Sequence, residues 1–259
     1  MMNFEEFSQM VEANPELLDK LSIHDYETDK ERLMIMVCDY ASNAETLATA
    51  PYMEHDGLAI TYYLLTDIGD DSRAYCMIND AIFARYGVSL ERLHEDALAN
   101  MAARFPATFD PIESMVMGMT LDGEMSRTLL SGQVEAGAFV DTGEDCLIWG
   151  SQMGLRVLSN TIGHWGAAAL FYPGVLDSIA QIYGKSFYVI PSSIHECLIV
   201  DPGVEASLEF LQETLRTVNE NEVAEDEILS DAIYFYDLSA GRLCLATEDL
   251  APSDSCAVG

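Results

Sequence analysis

The sequence predicts an α+β protein with a mixed, largely antiparallel sheet and flanking helices. Hairpin patterns recur: β-rich residues 58–66 are followed by a polar turn and a second β-rich run at 73–79. A similar pair, 232–236 and 243–246, flanks the turn Ser239-Ala240-Gly241. Helical patterns occur between these pairs without strict alternation of strand and helix, which favours an antiparallel sheet over a parallel one.

Amphipathic spacing and capping residues predict the helices. Ser89 is a suitable N-cap for a helix over 90–104, which Pro106 would end. In residues 204–220, apolar side chains recur at spacings of three and four, which predicts an acidic amphipathic helix. Further helices are predicted after Asn3, from Ser42 or Asn43 to residue 50, and over 166–183.

Short apolar runs predict the remaining strands, because their length suits a strand better than a helix. These runs are 33–38, 155–158, 187–190 and 197–200. The glycine-rich stretch 109–150 is less regular, and we interpret it as short strands and loops.

The predicted organisation has an N-terminal helical segment (1–50), an α+β domain (51–250) and a loose, small-residue tail (251–259). In an alternative, 51–150 and 151–250 are two similar strand–helix halves, because strands ending at Asn79 and Asn160 each precede a helix. Asn is common at strand exits and helix caps, so we favour coincidence as the explanation of this similarity.

The charge is strongly acidic: 44 Asp and Glu residues against 12 Lys and Arg give a formal net charge of -32. A nucleic-acid groove is excluded as the main function, because phosphate contacts need clustered Lys and Arg. A soluble surface that resists association is one explanation of the charge. A second explanation is an acidic face that binds a basic protein partner and imitates nucleic-acid phosphates. A third explanation is salt adaptation or metal buffering.

The acidic residues are unevenly spread, since 201–250 holds thirteen acids whereas 151–200 holds two. The predicted helix 204–220 and the residues after it form the densest acidic surface, and we expect this surface to contact a basic partner. The candidate binding residues are Glu205, Glu209, Glu213, Glu220, Glu222, Glu225, Asp226 and Glu227.

The six cysteines form no C-x-x-C pair, which favours free thiols in a reducing compartment over a zinc cluster or a disulfide framework. Residues 1–6 lack the basic and apolar regions of a signal peptide. The most apolar stretch, 166–176, is too short to span a bilayer and contains Pro173. We therefore expect a cytoplasmic protein without a membrane interaction.

The segment 191–196, Pro-Ser-Ser-Ile-His-Glu, is the most suggestive of chemistry. A hydrolase using Ser193, His195 and Glu196 is the alternative function that it indicates. In an extended segment, Ser193 and His195 would share one face but diverge too far for easy proton transfer. We favour the alternative that the segment is a tight connection between two core strands, in which these side chains bond backbone groups.

No metal or cofactor is predicted. His195 and Glu196 could join His164 or His55 around a metal ion, but they do not form the helical H-E-x-x-H pattern. Residues 25–31 alternate carboxylates, but a calcium loop needs Gly and Glu at its sixth and twelfth positions, which here are Lys30 and Met36. No dinucleotide or phosphate-binding glycine motif and no G-x-S-x-G elbow is present.

Several of these segments together resemble an uncharacterised bacterial family of unknown function, across roughly residues 33–238. The Pro-Ser-Ser-Ile-His-Glu string is the most specific element. The other segments are 56–60, 77–93, 157–160, 166–168, 188–190, 218–219 and 228–231. The resemblance implies a cytosolic bacterial or mobile-element protein, and it implies no catalytic role for any residue because the family carries no established reaction.

Overall fold

The computed structural model describes residues 20–68, 72–112, 129–130 and 154–250. It confirms the α+β prediction, since helices accompany two antiparallel sheets. The predicted helix start at Asn3, most of the glycine-rich stretch 109–150 and the predicted loose tail 251–259 lie outside the described residues.

The first sheet is built around one long strand. Its strands are β1 (Leu33–Asp39), β2 (Tyr52–His55), β3 (Leu58–Asp67) and β4 (Arg73–Met77). β1 pairs along one edge of β3, while β2 and β4 pair with successive parts of its other edge. Asp56 and Gly57 connect β2 to β3 with φ of 48° and 90°, the left-handed geometry that favours Asp-Gly in two-residue hairpins.

The strands of the second sheet are β5 (Ala107–Pro111), β6 (Leu129–Leu130), β7 (Leu155–Asn160), β8 (Phe187–Ser193), β9 (Glu196–Val200), β10 (Tyr234–Asp237) and β11 (Arg242–Leu245). Their order in the sheet is β11-β10-β8-β9-β7-β5-β6, and the pairs are antiparallel. Strand β5 pairs with β7 in this sheet, as β1 pairs with β3 in the first sheet.

Among the described residues, the helices are short apart from two. They are α1 (Tyr26–Asp29), α2 (Ala44–Leu47), α3 (Asp80–Tyr86), α4 (Leu90–Arg104), α5 (Val175–Tyr183) and α6 (Leu208–Asn221), with 3₁₀ segments at Lys30–Arg32 and Gly166–Phe171. Asn79, Ser89 and Ser207 are the N-caps of α3, α4 and α6. Each side chain accepts a hydrogen bond from a backbone N–H in the first turn of its helix. The helix predicted over 166–183 is divided around Pro173 and Gly174, because proline interrupts helical hydrogen bonding.

The second sheet is covered on both faces, as its alternating residues show. Phe187 and Val189 of β8 belong to the main core, whereas Tyr188 and Ile190 pack with Leu211 and Leu215 of α6. This alternation follows from the two-residue period of a strand. Helix α6 therefore lies on one face of the sheet and presents its other side to solvent.

The main core joins the two sheets through the Gly166–Phe171 segment. Ala167, Ala168 and Ala169 are fully buried there, and the segment contacts β1 of the first sheet and both β7 and β9 of the second. On β3, Tyr62 faces His94 of α4, while the next residue, Tyr63, contacts the Trp165 ring. The first sheet is thus packed between α4 and the residues that connect it to the second sheet.

A buried carboxylate organises the residues before β1. Asp29 is fully buried, and its oxygens accept hydrogen bonds from the His24 backbone N–H, the Tyr86 hydroxyl and the Arg32 guanidinium, each at 2.8 Å. The Arg32 guanidinium also donates to the Thr66 hydroxyl at 2.6 Å. A buried charge is costly unless it is paired and hydrogen-bonded, and these contacts fix α1 against α3 and β3.

Within the described residues, no helix has the length and apolar character needed to cross a membrane.

Truncation of Leu215, which α6 buries in the core, should destabilise the fold, whereas truncation of Phe210, which α6 exposes, should not. We expect Leu215→Ala to lower the free energy of unfolding by about 2–4 kcal/mol, because it leaves a cavity under the helix. Phe210→Ala should change it by less than about 0.5 kcal/mol, since that side chain is 62% exposed. Urea denaturation of both variants tests this, and equal losses would contradict the orientation of α6.

Candidate functional site

The Pro-Ser-Ser-Ile-His-Glu segment is the turn between β8 and β9. Ser193 pairs with Glu196, so Ile194 and His195 form the two-residue turn, and the register shifts between Ile190 and Ser193. Pro191 lies at this irregularity, where the missing proline N–H is tolerated. The Ser193 hydroxyl accepts a hydrogen bond from the His195 backbone N–H at 3.1 Å.

The His195 imidazole connects this turn to two other loops. Its Nδ1 accepts a hydrogen bond from the Trp165 backbone N–H at 3.2 Å, and its Nε2 lies 3.4 Å from Oε1 of Glu227. Because Nδ1 is an acceptor, the neutral ring carries its proton on Nε2, which points towards the carboxylate. The side chain is 26% exposed and that of Glu227 is 43% exposed.

A second histidine completes an aromatic cluster at this turn. The His164 ring lies 5.1 Å from the His195 ring and stacks on Trp165 at 4.9 Å, while Tyr75 contacts both His164 and Trp165. Burial lowers the pKa of His164, and the nearby His195 and Arg73 lower it further, whereas Glu227 raises it. We refer to His164, Trp165, His195 and Glu227 as the histidine junction.

The histidine junction requires a close approach at Gly166. A Cβ atom at this position would overlap both the Ser159 hydroxyl oxygen and the carbonyl oxygen of His195. The Ser159 hydroxyl donates to that same carbonyl at 2.8 Å, and the Ala167 backbone N–H donates to the carbonyl of Ile194 at 3.3 Å. The turn is therefore bonded directly to the start of the 3₁₀ segment between the sheets.

The loop before Gly166 is also fixed. The fully buried Asn160 side chain donates to the His164 carbonyl at 2.9 Å and accepts from the Ile162 backbone N–H at 3.1 Å. Trp165 has φ of 53°, in the left-handed region that non-glycine residues rarely adopt. Its N–H is the group bonded by His195, so the imidazole stabilises this uncommon backbone conformation.

The residues of the hydrolase hypothesis are neighbours, but their bonds are to the backbone. The Ser193 hydroxyl accepts from the N–H of His195, and the imidazole nitrogens face Trp165 and Glu227 rather than that hydroxyl. Burial raises the pKa of Glu196. His55 lies elsewhere, with its ring against Phe171 and its Nε2 at 3.2 Å from the Leu243 carbonyl.

A metal site is not formed by the residues that the structure describes, because no three of their His, Cys, Asp and Glu side chains converge. His164 and His195 are close, but Glu227 is the neighbouring carboxylate rather than Glu196. Sequence reasoning assigned Glu227 only to the acidic surface and did not single out Ser159 or Trp165. Their roles depend on distant backbone groups that no local spacing reveals.

The predicted acidic surface is the solvent side of α6 and the loop that follows it. Seven of the eight candidate residues are exposed, and the exception is Glu227. In the described part of the chain, none of the α6 carboxylates forms an ion pair. Phe210 is exposed between Glu209 and Glu213 on this helix, and Arg216 is its one basic residue.

The acidic surface is bonded to the histidine junction. The Ile194 backbone N–H donates to the Glu227 carbonyl at 3.0 Å, beside the side-chain contact between Glu227 and His195. The buried Asn219 amide of α6 donates to the Ser230 carbonyl and to the Asp231 carboxylate, at 3.0 and 2.9 Å. The loop after α6 is thus held at both ends.

The fold and the junction define a two-sheet α+β protein whose turn, loop and acidic segment meet around an imidazole. The model of a family of unknown function, DUF5688, matches residues 2–238. The chain belongs to that family, which confirms the resemblance seen in the sequence. Neither a curated protein nor a solved structure matches the chain.

Some of the segments that carried the resemblance meet in space. Ser159 and Asn160 of one segment, Gly166 of another and His195 of the Pro-Ser-Ser-Ile-His-Glu string form the contacts described above. In a separate contact, Asn219 bonds the segment that contains Ser230. The first three segments therefore shape one region of the fold.

A methyl group at Gly166 should destabilise the protein. We expect Gly166→Ala to lower the free energy of unfolding by about 1–3 kcal/mol, because the added carbon displaces the His195 carbonyl from its position. Gly203→Ala is the matched control, since its Cβ would meet open space, and it should change stability by less than about 0.5 kcal/mol. Equal effects in denaturation would show that the close approach is unimportant.

The histidine junction should also make stability depend on pH. The pKa of His164 is lowered from its ordinary value of 6.5, so its neutral form stabilises the fold above that pH and the contribution is lost as pH falls. His164→Phe keeps a ring on Trp165 but cannot bind a proton. Between pH 7 and 5, wild type should lose more stability than this variant in urea denaturation. A constant difference between the two proteins would contradict the assignment.

Proposed function

We propose that the protein is a non-catalytic binding or regulatory protein that engages a basic protein surface. The observation that carries the proposal is Phe210, whose side chain is 62% exposed on α6 between Glu209 and Glu213. An exposed aromatic on a firmly packed helix, surrounded by carboxylates, suits a partner with an apolar depression rimmed by Lys or Arg.

The charge of the acidic surface supports the same partner. Glu205, Glu209, Glu213, Glu220, Glu222, Glu225 and Asp226 are exposed. The α6 carboxylates form no ion pair among the described residues, so they stay available to a cationic partner. Such a field accelerates association with basic proteins and repels nucleic acid. A surface of this kind is also able to compete with nucleic-acid phosphates for the same basic groove.

The bonds of the loop after α6 support the rigidity that a binding surface needs. Leu211 and Leu215 anchor the helix to the sheet, and Ile194 anchors the loop through the carbonyl of Glu227. A surface that is already ordered loses little conformational freedom on association. We also propose a cytoplasmic location, which is supported by the free thiols of Cys38, Cys76, Cys197 and Cys244.

The hydrolase hypothesis remains a prediction with less support. A nucleophilic serine needs its hydroxyl within hydrogen-bond reach of a base, whereas the Ser193 hydroxyl bonds the His195 backbone. The contacts of the imidazole support a structural role at the turn.

Binding should depend on Phe210 and its acidic neighbours. Immobilised wild type should capture basic proteins from lysate at low salt and release them at high salt. Against a partner purified from that eluate, Phe210→Ala should weaken binding by roughly thirty-fold, as expected when a central aromatic is removed. Glu209→Lys with Glu213→Lys should slow association.

The matched control is Glu45→Lys with Glu54→Lys, which makes the same charge change at exposed residues outside the acidic surface. This control should keep most of the affinity of wild type. Equal weakening by both double variants would indicate a non-specific charge effect, and no binding at low salt by wild type would overturn the proposal.

A further inference from the structure

A cleft of about 310 Å³ lies where α1, the end of β3 and the end of α4 meet. It is lined by Lys20, His24, Thr28, Arg32, Leu65, Thr66, Asp67 and Arg104. Three of these residues carry a permanent positive charge and one carries a negative charge. The chain as a whole has 44 acids and 12 bases. In the lining of the cleft, by contrast, basic residues outnumber acidic ones.

Arg32 forms the rigid wall of the cleft. Its guanidinium donates to the Asp29 carboxylate, the Thr66 hydroxyl, and the carbonyls of Ser22 and Leu65. These bonds use four of its five N–H groups and hold it in one orientation. The remaining Nη2 hydrogen is a fixed donor, and such preorganised donors bind an anion without a further loss of side-chain freedom.

Lys20 and Arg104 add positive charge to the cleft. The Lys20 ammonium has no hydrogen-bond or ion-pair partner in the described residues. Arg104 bonds the Asp67 carboxylate through Nη2, but Arg73 also lies 3.7 Å from that carboxylate. Two guanidinium groups thus share one carboxylate, which leaves a local excess of positive charge.

We propose that this cleft binds a phosphate group, either as free phosphate or as a small phosphomonoester. Guanidinium forks and an ammonium are the side chains that proteins use for phosphate. The cleft has the volume of a small-molecule site rather than of a single ion.

The field of the whole protein does not prevent this binding. At physiological ionic strength the Debye length is about 8 Å, so distant carboxylates are largely screened from the cleft. Among the carboxylates near the cleft, Glu27 is paired with Lys30 at 2.6 Å and Asp29 is enclosed behind Arg32. Asp67 is the one carboxylate that lines the cleft itself.

Calorimetric titration at constant ionic strength tests the proposal, with inorganic phosphate, phenyl phosphate and phenylacetate as probes. Inorganic phosphate or phenyl phosphate should bind, and phenylacetate should bind more weakly. Binding of phenyl phosphate but not of inorganic phosphate would identify the ligand as a phosphomonoester. Binding of both would show that the phosphate group alone is sufficient. Lys20→Gln and Arg104→Gln should each weaken binding by about ten-fold, through loss of one charged donor.

Two further variants distinguish a site from general electrostatics. Asp67→Asn removes the competing carboxylate and should strengthen phosphate binding, whereas a purely structural cluster would show no gain. Arg216→Gln removes the same charge from α6 and should leave the affinity unchanged. Failure of both phosphate probes to bind wild type, or equal weakening by Arg216→Gln and Lys20→Gln, would overturn the proposal. None of these outcomes bears on the binding of a basic protein by α6.

Discussion

The contact between the two sheets depends on the absence of a side chain at Gly166. The buried alanines that follow it pack against β1 on one side and against β7 and β9 on the other. This segment can begin beside the β8–β9 turn only because the backbone of Gly166 fits against Ser159 and the His195 carbonyl. Interiors are close-packed, so a shift at this point would move every layer that rests on the segment.

The same constraint explains why the Pro-Ser-Ser-Ile-His-Glu turn is rich in polar groups. A turn that packs inside a protein must satisfy its backbone donors and acceptors without water. Ser193 bonds the His195 N–H, Ser159 bonds the His195 carbonyl, and the imidazole bonds the N–H of Trp165. The residues that suggested catalysis in the sequence are the ones that a tight, half-buried connection requires.

The sequence was sufficient for elements whose signals are local. Periodicity and capping located α4 and most of α6, and apolar runs located β1, β3, β8 and β9. The apolar composition of 166–183 predicts one helix, whereas the structure has two helical segments there, because Pro173 interrupts helical hydrogen bonding. The histidine junction could not be predicted, since it joins His164 and Trp165 to His195 and Glu227 from three segments far apart in sequence. Only the fold brings such groups together.

The difference in charge between α6 and the region around the first sheet follows from which carboxylates the few basic side chains pair with. Lys30, Arg32, Arg73, Arg92 and Arg104, all close to α1, α4 or the first sheet, pair with Glu27, Asp29, Asp67 or Asp96. By contrast, Arg216 on α6 makes no ion pair with a described carboxylate, and the acids around it stay unpaired. Pairing lowers the local field while unpaired carboxylates sustain it over about a Debye length. If both proposals hold, the unpaired carboxylates of the helix over the second sheet would attract a cationic macromolecule, while the bases that line the cleft beside the first sheet would bind an anion.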